Sequence, residues 1–189
     1  LSNREEALRR HTMGVIASID VYWRNNVRAL ADLEGQRFLV EERENLLCVL
    51  ERVRGHDVDD WCKSVLCLAS IWHSVGMVRR AREEVTSVLK ACESTRYGPH
   101  LLLVLGCATR AIEEKAAIDA LSRAEAGLDA PQDRPLRMFC LLELLMIGAI
   151  RSNEDEIADY FERAEALALL TPELQKAIEF SRCWVAFGR

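Results

Sequence analysis

The sequence predicts an all-α protein built of antiparallel helical hairpins that stack on one another. Three observations predict it. Apolar residues recur at spacings of three and four through most of the chain, the mark of helices with one buried face. Alternating β-branched stretches bounded by turns, which would mark strands, are missing. Finally, Arg123-Ala124-Glu125-Ala126 returns forty residues later as Arg163-Ala164-Glu165-Ala166, and the preceding stretches 117–122 and 157–162 keep apolar, small and acidic residues at matching places. A repeat of this length without strand-like or glycine-rich interruptions points to stacked helical pairs, whose joint surface usually binds a partner.

Composition narrows the class. With 189 residues, half of them apolar, the chain can bury a substantial core. Four prolines and nine glycines leave long helices unpunctuated. The formal charge is -5, and Lys/Arg are interspersed with Asp/Glu, which argues against direct nucleic-acid binding because that function needs a basic face. The densest basic cluster, Arg79, Arg80 and Arg82, runs straight into Glu83-Glu84 and reads as a solvated helix face. Seven cysteines lie scattered with no Cys-x-x-Cys pair. Several fall in apolar helical stretches, where cysteine acts as a small core residue, and a reducing, cytoplasmic setting fits them. Residues 1–10 are too polar for a secretion signal, and the apolar runs 101–107 and 138–150 are too short to span a bilayer. A start at Leu1 without an initiator methionine reads as an excised piece of a longer protein.

Element by element, residues 5–33 carry Val15, Ile16, Ile19, Tyr22, Trp23, Val27, Leu30 and Ala31 on one helical face, with a break near Gly14. Gly35-Gln36 separates this from a second helix with Phe38, Leu39, Asn45, Leu46, Val49, Leu50 and Val53, ending near Gly55. Residues 1–56 thus form an entry region packed on the repeats, and 57–189 form the repeat region of one continuous structural domain. Asp57 to Asp60 is an acidic helix start, favourable at the positive end of the helix dipole. The helix continues through Trp61, Val65, Leu68, Ala69 and Trp72 to a turn at Gly76, and Ala81, Val85, Val88 and Leu89 mark the return. Gly98-Pro99 opens the next pair, with helices over 101–111 and 115–128. Pro131 and Pro135 then favour a new start, with a helix over 136–150. Ser152 with Asp155, or Asn153 with Glu156, offers a capping box before the helix over 157–170. Thr171-Pro172 begins the last helix, which reaches about Phe187.

About nine helices result, with clear hairpins over 57–94, 98–129 and 134–170. Val88, Ala124 and Ala164 are their equivalent packing positions, at spacings of 36 and 40 residues. Ala124 and Ala164 allow close helix approach, while Leu121 and Phe161 supply larger neighbouring volumes. Ala69, Trp72, Gly76, Ala81 and Val85 give the same small and large alternation in the first hairpin. The arginines and glutamates of the repeated motif are expected on exposed flanks.

The segment Glu42-Arg43-Glu44-Asn45-Leu46-Leu47-Cys48-Val49-Leu50 resembles the acidic-Arg-x-Asn-Leu-x-x-x-Leu stretch found before tetratricopeptide-like repeats in large bacterial signal-transducing nucleotide-binding regulators. Arg10-His11 and the helix after it look like the entry to that region, and residues 70–81 look like its first hairpin. The resemblance covers about residues 9–170. It implies a sensor or protein-interaction region beside a nucleotide-binding switch and a separate output domain, often transcriptional. Arg43, Asn45 and Leu46 would then support the entry helices, and 57–170 would build a degenerate tetratricopeptide-like scaffold. No Gly-x-x-x-x-Gly-Lys-Ser/Thr phosphate loop is present, so an ATPase role does not transfer to this segment.

Chemistry competes poorly with packing. His56, Asp57, Asp59 and Asp60 concentrate possible metal ligands, yet a capped polar turn explains them without a closed coordination shell. His73 near Cys62 and Cys67 invites a thiol and imidazole pair, but Cys62 and His73 stand roughly 16 Å apart along a helix. Glu113-Glu114 and Glu154-Asp155-Glu156 fit helix beginnings better than hydrolytic carboxylate sets. His11 and His100 lack neighbouring ligand patterns, and Trp23, Trp61, Trp72 and Trp184 suit helix packing. The expectation is a noncatalytic sensor or protein-interaction scaffold, with no cofactor or metal, that binds a protein or peptide, or a small effector. Contact with a missing nucleotide-binding domain is part of that expectation. A stand-alone structural adaptor and an unrecognised acidic-site hydrolase are the alternatives.

Overall fold

The computed structural model describes residues 43–74, 76–92, 96–170 and 175–187, with isolated positions at 6, 7, 10, 11, 14 and 41 before them. Apart from those isolated positions, the helix expected over 5–33 with its Trp23 lies outside the described residues, as do Phe38 and Leu39 of the second expected helix, the Thr171-Pro172 start and the side chains of His73 and Trp184. Among the described residues eight α-helices are delimited, in order: α1 Arg43–Val53, α2 Val58–Ser74, α3 Val78–Cys92, α4 Gly98–Thr109, α5 Glu114–Gly127, α6 Arg134–Arg151, α7 Glu154–Leu169 and α8 Gln175–Phe187. A short 3-10 turn, Pro131–Asp133, leads into α6. The protein is all-α: no strand occurs among the described residues. No described helix is long and apolar enough to cross a membrane.

The chain divides into two compact units, Leu1–Val104 and Leu105–Arg189, with the boundary inside α4. In the first, α2 packs on α1 and pairs with α3. Asp57 starts α2 by accepting the Asp60 amide at 3.0 Å, which satisfies one of the helix's unpaired N–H groups. Gly76 ends it. At φ +77 it takes the left-handed conformation that a glycine adopts without strain, and the Met77 amide donates back to the Trp72 carbonyl at 2.6 Å. Leu46, Val49 and Leu50 of α1 meet a core completed by Val65, Leu68, Ala69 and Trp72 of α2 and Ala81, Val85 and Val88 of α3, all buried. The Arg80 guanidinium lies 5.0 Å from the Trp72 ring centroid, a cation–π contact at the edge of that core. Arg54, just beyond α1, donates to both carboxylate oxygens of Glu84 on α3 at 2.7 Å.

In the second unit, α6 packs on α5 and α7, and α8 packs on both α6 and α7. Asn153 caps α7 by accepting the Glu156 amide. The turn before it repeats the ending seen at Gly76: Ser152 is left-handed at φ 55, and the Asn153 amide donates to the Gly148 carbonyl at 3.1 Å. Ala124, Ala164 and Leu121 are fully buried, whereas Phe161 is half-buried and its neighbour Tyr160 is the ring that reaches the core. Where α4 meets α5, Gly106 sits so close that a Cβ there would fall 2.5 Å from Leu121 Cγ and 3.3 Å from the Ala117 carbonyl oxygen. Only hydrogen in place of a side chain permits that approach.

Candidate functional site

Among the described residues the second unit carries two buried carboxylates, Glu125 and Glu143, each held by arginine from another part of the chain. Glu125 lies on the face of α5 shared by Leu121 and Leu128 and is only 3% exposed. Its Oε1 accepts from Arg137 Nε of α6 at 2.6 Å, and its Oε2 accepts from Arg163 Nη2 of α7. Arg163 also donates to Asp159 at 3.0 Å and lies 5.8 Å from the Tyr160 ring centroid. Burial pulls the Arg163 pKa down, but the Asp159 hydrogen bond and the nearby Glu125 carboxylate outweigh it and hold it above its ordinary value. One carboxylate thereby joins three helices. This corrects the expectation of an exposed flank for Glu125, while Glu165 of the second copy keeps 46% of its side chain exposed. Burial becomes tolerable because both carboxylate oxygens receive charged donors.

Glu143 stands in the otherwise apolar middle of α6 and is 8% exposed. Its Oε2 accepts from Arg110 Nη1, just past α4. Burial raises the Glu143 pKa, and the charge and hydrogen bond of Arg110 only partly oppose this. The carboxylate forms part of the wall of a cleft of about 220 Å³ between α6 and α8. Among the described residues the rest of that wall is almost all carbon, from Phe139, Leu142, Leu145, Met146 and Val185, with Ser181 as the other polar residue.

Two thiols lie close enough to these acids to feel them. Burial pushes Cys140 up to about 12, with Glu125 and Glu143 adding to it. Cys107 is also raised, by burial first, then by Glu143 and Cys140, while Arg110 offsets only part. Both remain protonated near neutral pH, and a protonated thiol is a poor nucleophile.

The residues singled out from sequence go elsewhere. Asp57 caps α2, Asp59 accepts from Arg96 at 3.3 Å, and Asp60 lies 3.5 Å from Lys63 Nζ. His56 is exposed. Among the described residues, no group of three or more His, Cys, Asp or Glu side chains is arranged to hold a metal ion. Cys62 and Cys67 are buried in the first unit, as are Trp61 and Trp72. The exposed Glu113 precedes α5 without a side-chain capping bond, and Glu114 lies 3.3 Å from Arg151 Nε. Glu156 pairs with Arg151 at 3.1 Å, and Glu154 and Asp155 occupy the first turn of α7. Of the entry motif, Leu46 is core, whereas Arg43 and Asn45 are exposed and Arg43 pairs with its neighbour Glu44.

From sequence Glu125 is expected on an exposed flank and Glu143 is given no role in a site, although each leaves a signal of burial. Glu125 shares the 3.6-residue face of Ala117, Leu121 and Leu128, and Glu143 is a lone acid inside an apolar run. Both are charges at positions that the helical period assigns to the interior. The fold is all-α, and in its second unit helices are cross-linked by part-buried ion pairs on Glu125 and Glu143. No protein-family model, curated protein or solved structure matches the chain.

Proposed function

We propose that this chain is a noncatalytic scaffold, the sensor or protein-interaction region of a bacterial signalling or transcriptional regulator, whose helical pairs stack as a degenerate tetratricopeptide-like right-handed superhelix. It acts in the cytoplasm by binding a protein or peptide, or a small effector, and by passing that event to a nucleotide-binding domain. A partner drives such a switch only if it prefers one arrangement of the scaffold over the other. The observation that supports this reading is the bond between Arg163 of one motif copy, on α7, and Glu125 of the other, on α5, which joins the two copies of the sequence echo physically. The acidic clusters at Asp57 and Asn153 serve as helix starts, and the raised thiols of Cys107 and Cys140 are held in their unreactive form.

The test joins the complete reading frame to a binding measurement. A Gly-x-x-x-x-Gly-Lys-Ser/Thr domain encoded ahead of this region would be purified and titrated with the present chain by calorimetry. Saturable binding that changes nucleotide affinity supports the switch. A reading frame without such a domain, or a domain indifferent to this chain, removes its basis and leaves the stand-alone adaptor.

A further inference from the structure

We propose that the cleft between α6 and α8 binds a small neutral amphiphile: about one aromatic ring with a short arm ending in a hydroxyl or amide N–H that donates to Glu143. Size sets the body of the ligand. An engineered apolar cavity of roughly 150 Å³ accepts benzene, and a cleft of about 220 Å³ has room for a ring and two or three further atoms. Phe139, Leu142, Leu145, Met146 and Val185 offer that body a carbon wall on two sides. Small-molecule sites combine this kind of lining with very few polar groups that fix orientation.

The charged group here is Glu143, with Ser181 as the other polar residue of the wall, and the bonding state of the carboxylate selects the head of the ligand. Arg110 occupies Oε2, and among the described residues Oε1 accepts no hydrogen bond. A donor entering the cleft can therefore complete the carboxylate's bonding. The Arg110 guanidinium already balances the negative charge, so an ammonium would bring an uncompensated charge into a site of low polarity. A carboxylate ligand would meet Glu143 as a like charge. A neutral donor meets neither cost. The raised pKa of Glu143 accords with a carboxyl partly deprived of water. This proposal is independent of the scaffold reading, because the cleft lies within residues 105–189 and its filling needs neither a protein partner nor a nucleotide domain.

The experiment is ligand-detected NMR titration of the full chain with 2-phenylethanol, 2-phenylethylamine, phenylacetate and ethylbenzene as probes. The expected order is saturable binding of the alcohol, weaker binding of the amine and the hydrocarbon, and none of the acid. Met146→Trp and Val185→Phe fill the cleft from opposite helices, and either one, if folded by circular dichroism, abolishes alcohol binding. Glu143→Leu weakens the alcohol about tenfold, the loss of one hydrogen bond to a charged acceptor, while leaving ethylbenzene unchanged or tighter. The proposal is overturned if the alcohol shows no saturable binding to the wild-type chain at millimolar concentration. Equal affinity for phenylacetate, or binding that survives in both folded cleft-filling variants, overturns it as well.

Discussion

Arg163 closes on the buried carboxylate of Glu125, thirty-eight residues earlier in the chain and on a different helix. The two residues belong to successive copies of Arg-Ala-Glu-Ala, so the motif supplies both the acid and one of the bases that neutralise it. The second copy makes a related contact forward, from Glu165 to Arg182 of α8, but in a more exposed setting. Repetition in sequence has here become a chain of charge contacts from one helix to later ones.

Replacing Glu125 by Gln should destabilise the second unit more than replacing Glu165 by Gln. Breaking a buried ion pair costs about 3–5 kcal/mol, but Arg137 and Arg163 keep 39% and 36% of their side-chain surface and can recover water. A loss of about 2–3 kcal/mol is therefore expected for Glu125→Gln, against less than about 1 kcal/mol for the exposed Glu165 pair. Urea denaturation of the two variants beside the parent measures both. Equal midpoints would show that burial at Glu125 carries no special weight.

Gly106→Ala should cost about 1–3 kcal/mol by overpacking, since the new methyl would strike Leu121, a residue with no exposed surface. Gly148→Ala is the control. Its added Cβ meets Ile157 Cγ1 at 3.3 Å, a contact that a small side-chain shift relieves, while the helix gains about 1 kcal/mol of propensity. Thermal unfolding should place the first variant well below the parent and the second near it.

The left-handed position after α6 is filled by serine, where the matching turn after α2 has glycine. For a non-glycine residue this conformation costs about 1–2 kcal/mol, part of which glycine returns through its larger unfolded-state entropy. Ser152→Gly should then stabilise by about 0.5–1 kcal/mol, whereas Gly76→Ser should destabilise by a similar amount. A pair of denaturation curves settles the sign at each turn.

These cases show where sequence was legible. Helix boundaries are local, so Asp57, Gly76, Asn153 and the prolines around 131–135 announced them, and α5 and α6 begin and end within a residue or two of where the pattern placed them. The small residues Ala124 and Ala164 stood out for the same reason, because close packing needs them at a fixed helical register. Burial of charge is different. Whether Glu125 can leave water depends on Arg137 and Arg163, which lie twelve and thirty-eight residues away. Likewise the cleft exists only where α8 meets α6, and no single stretch of chain encodes it. Ser152 was ambiguous too, since the residue type alone does not declare a positive φ; the register with Gly76 is what makes it intelligible.

The pH dependence of Glu143 provides the last test. Its folded pKa lies above the value of 4.5 expected for an ordinary glutamate, chiefly through burial, with Arg110 opposing. Between those two pKa values the folded state holds the proton more than the unfolded state does, so stability falls as pH rises through the window. Below it both states are protonated, and above it both are ionised, with the buried carboxylate continuing to cost stability. Glu143→Gln removes the titration while keeping a polar group beside Arg110. The stability of the parent minus that of this variant should therefore decrease from pH 4.5 upward and level off once Glu143 is ionised in the folded protein. Taking the difference cancels the acids common to both proteins. A difference that instead grows with pH across this window would mean that Arg110 outweighs burial and that the carboxylate is a net stabilising ion.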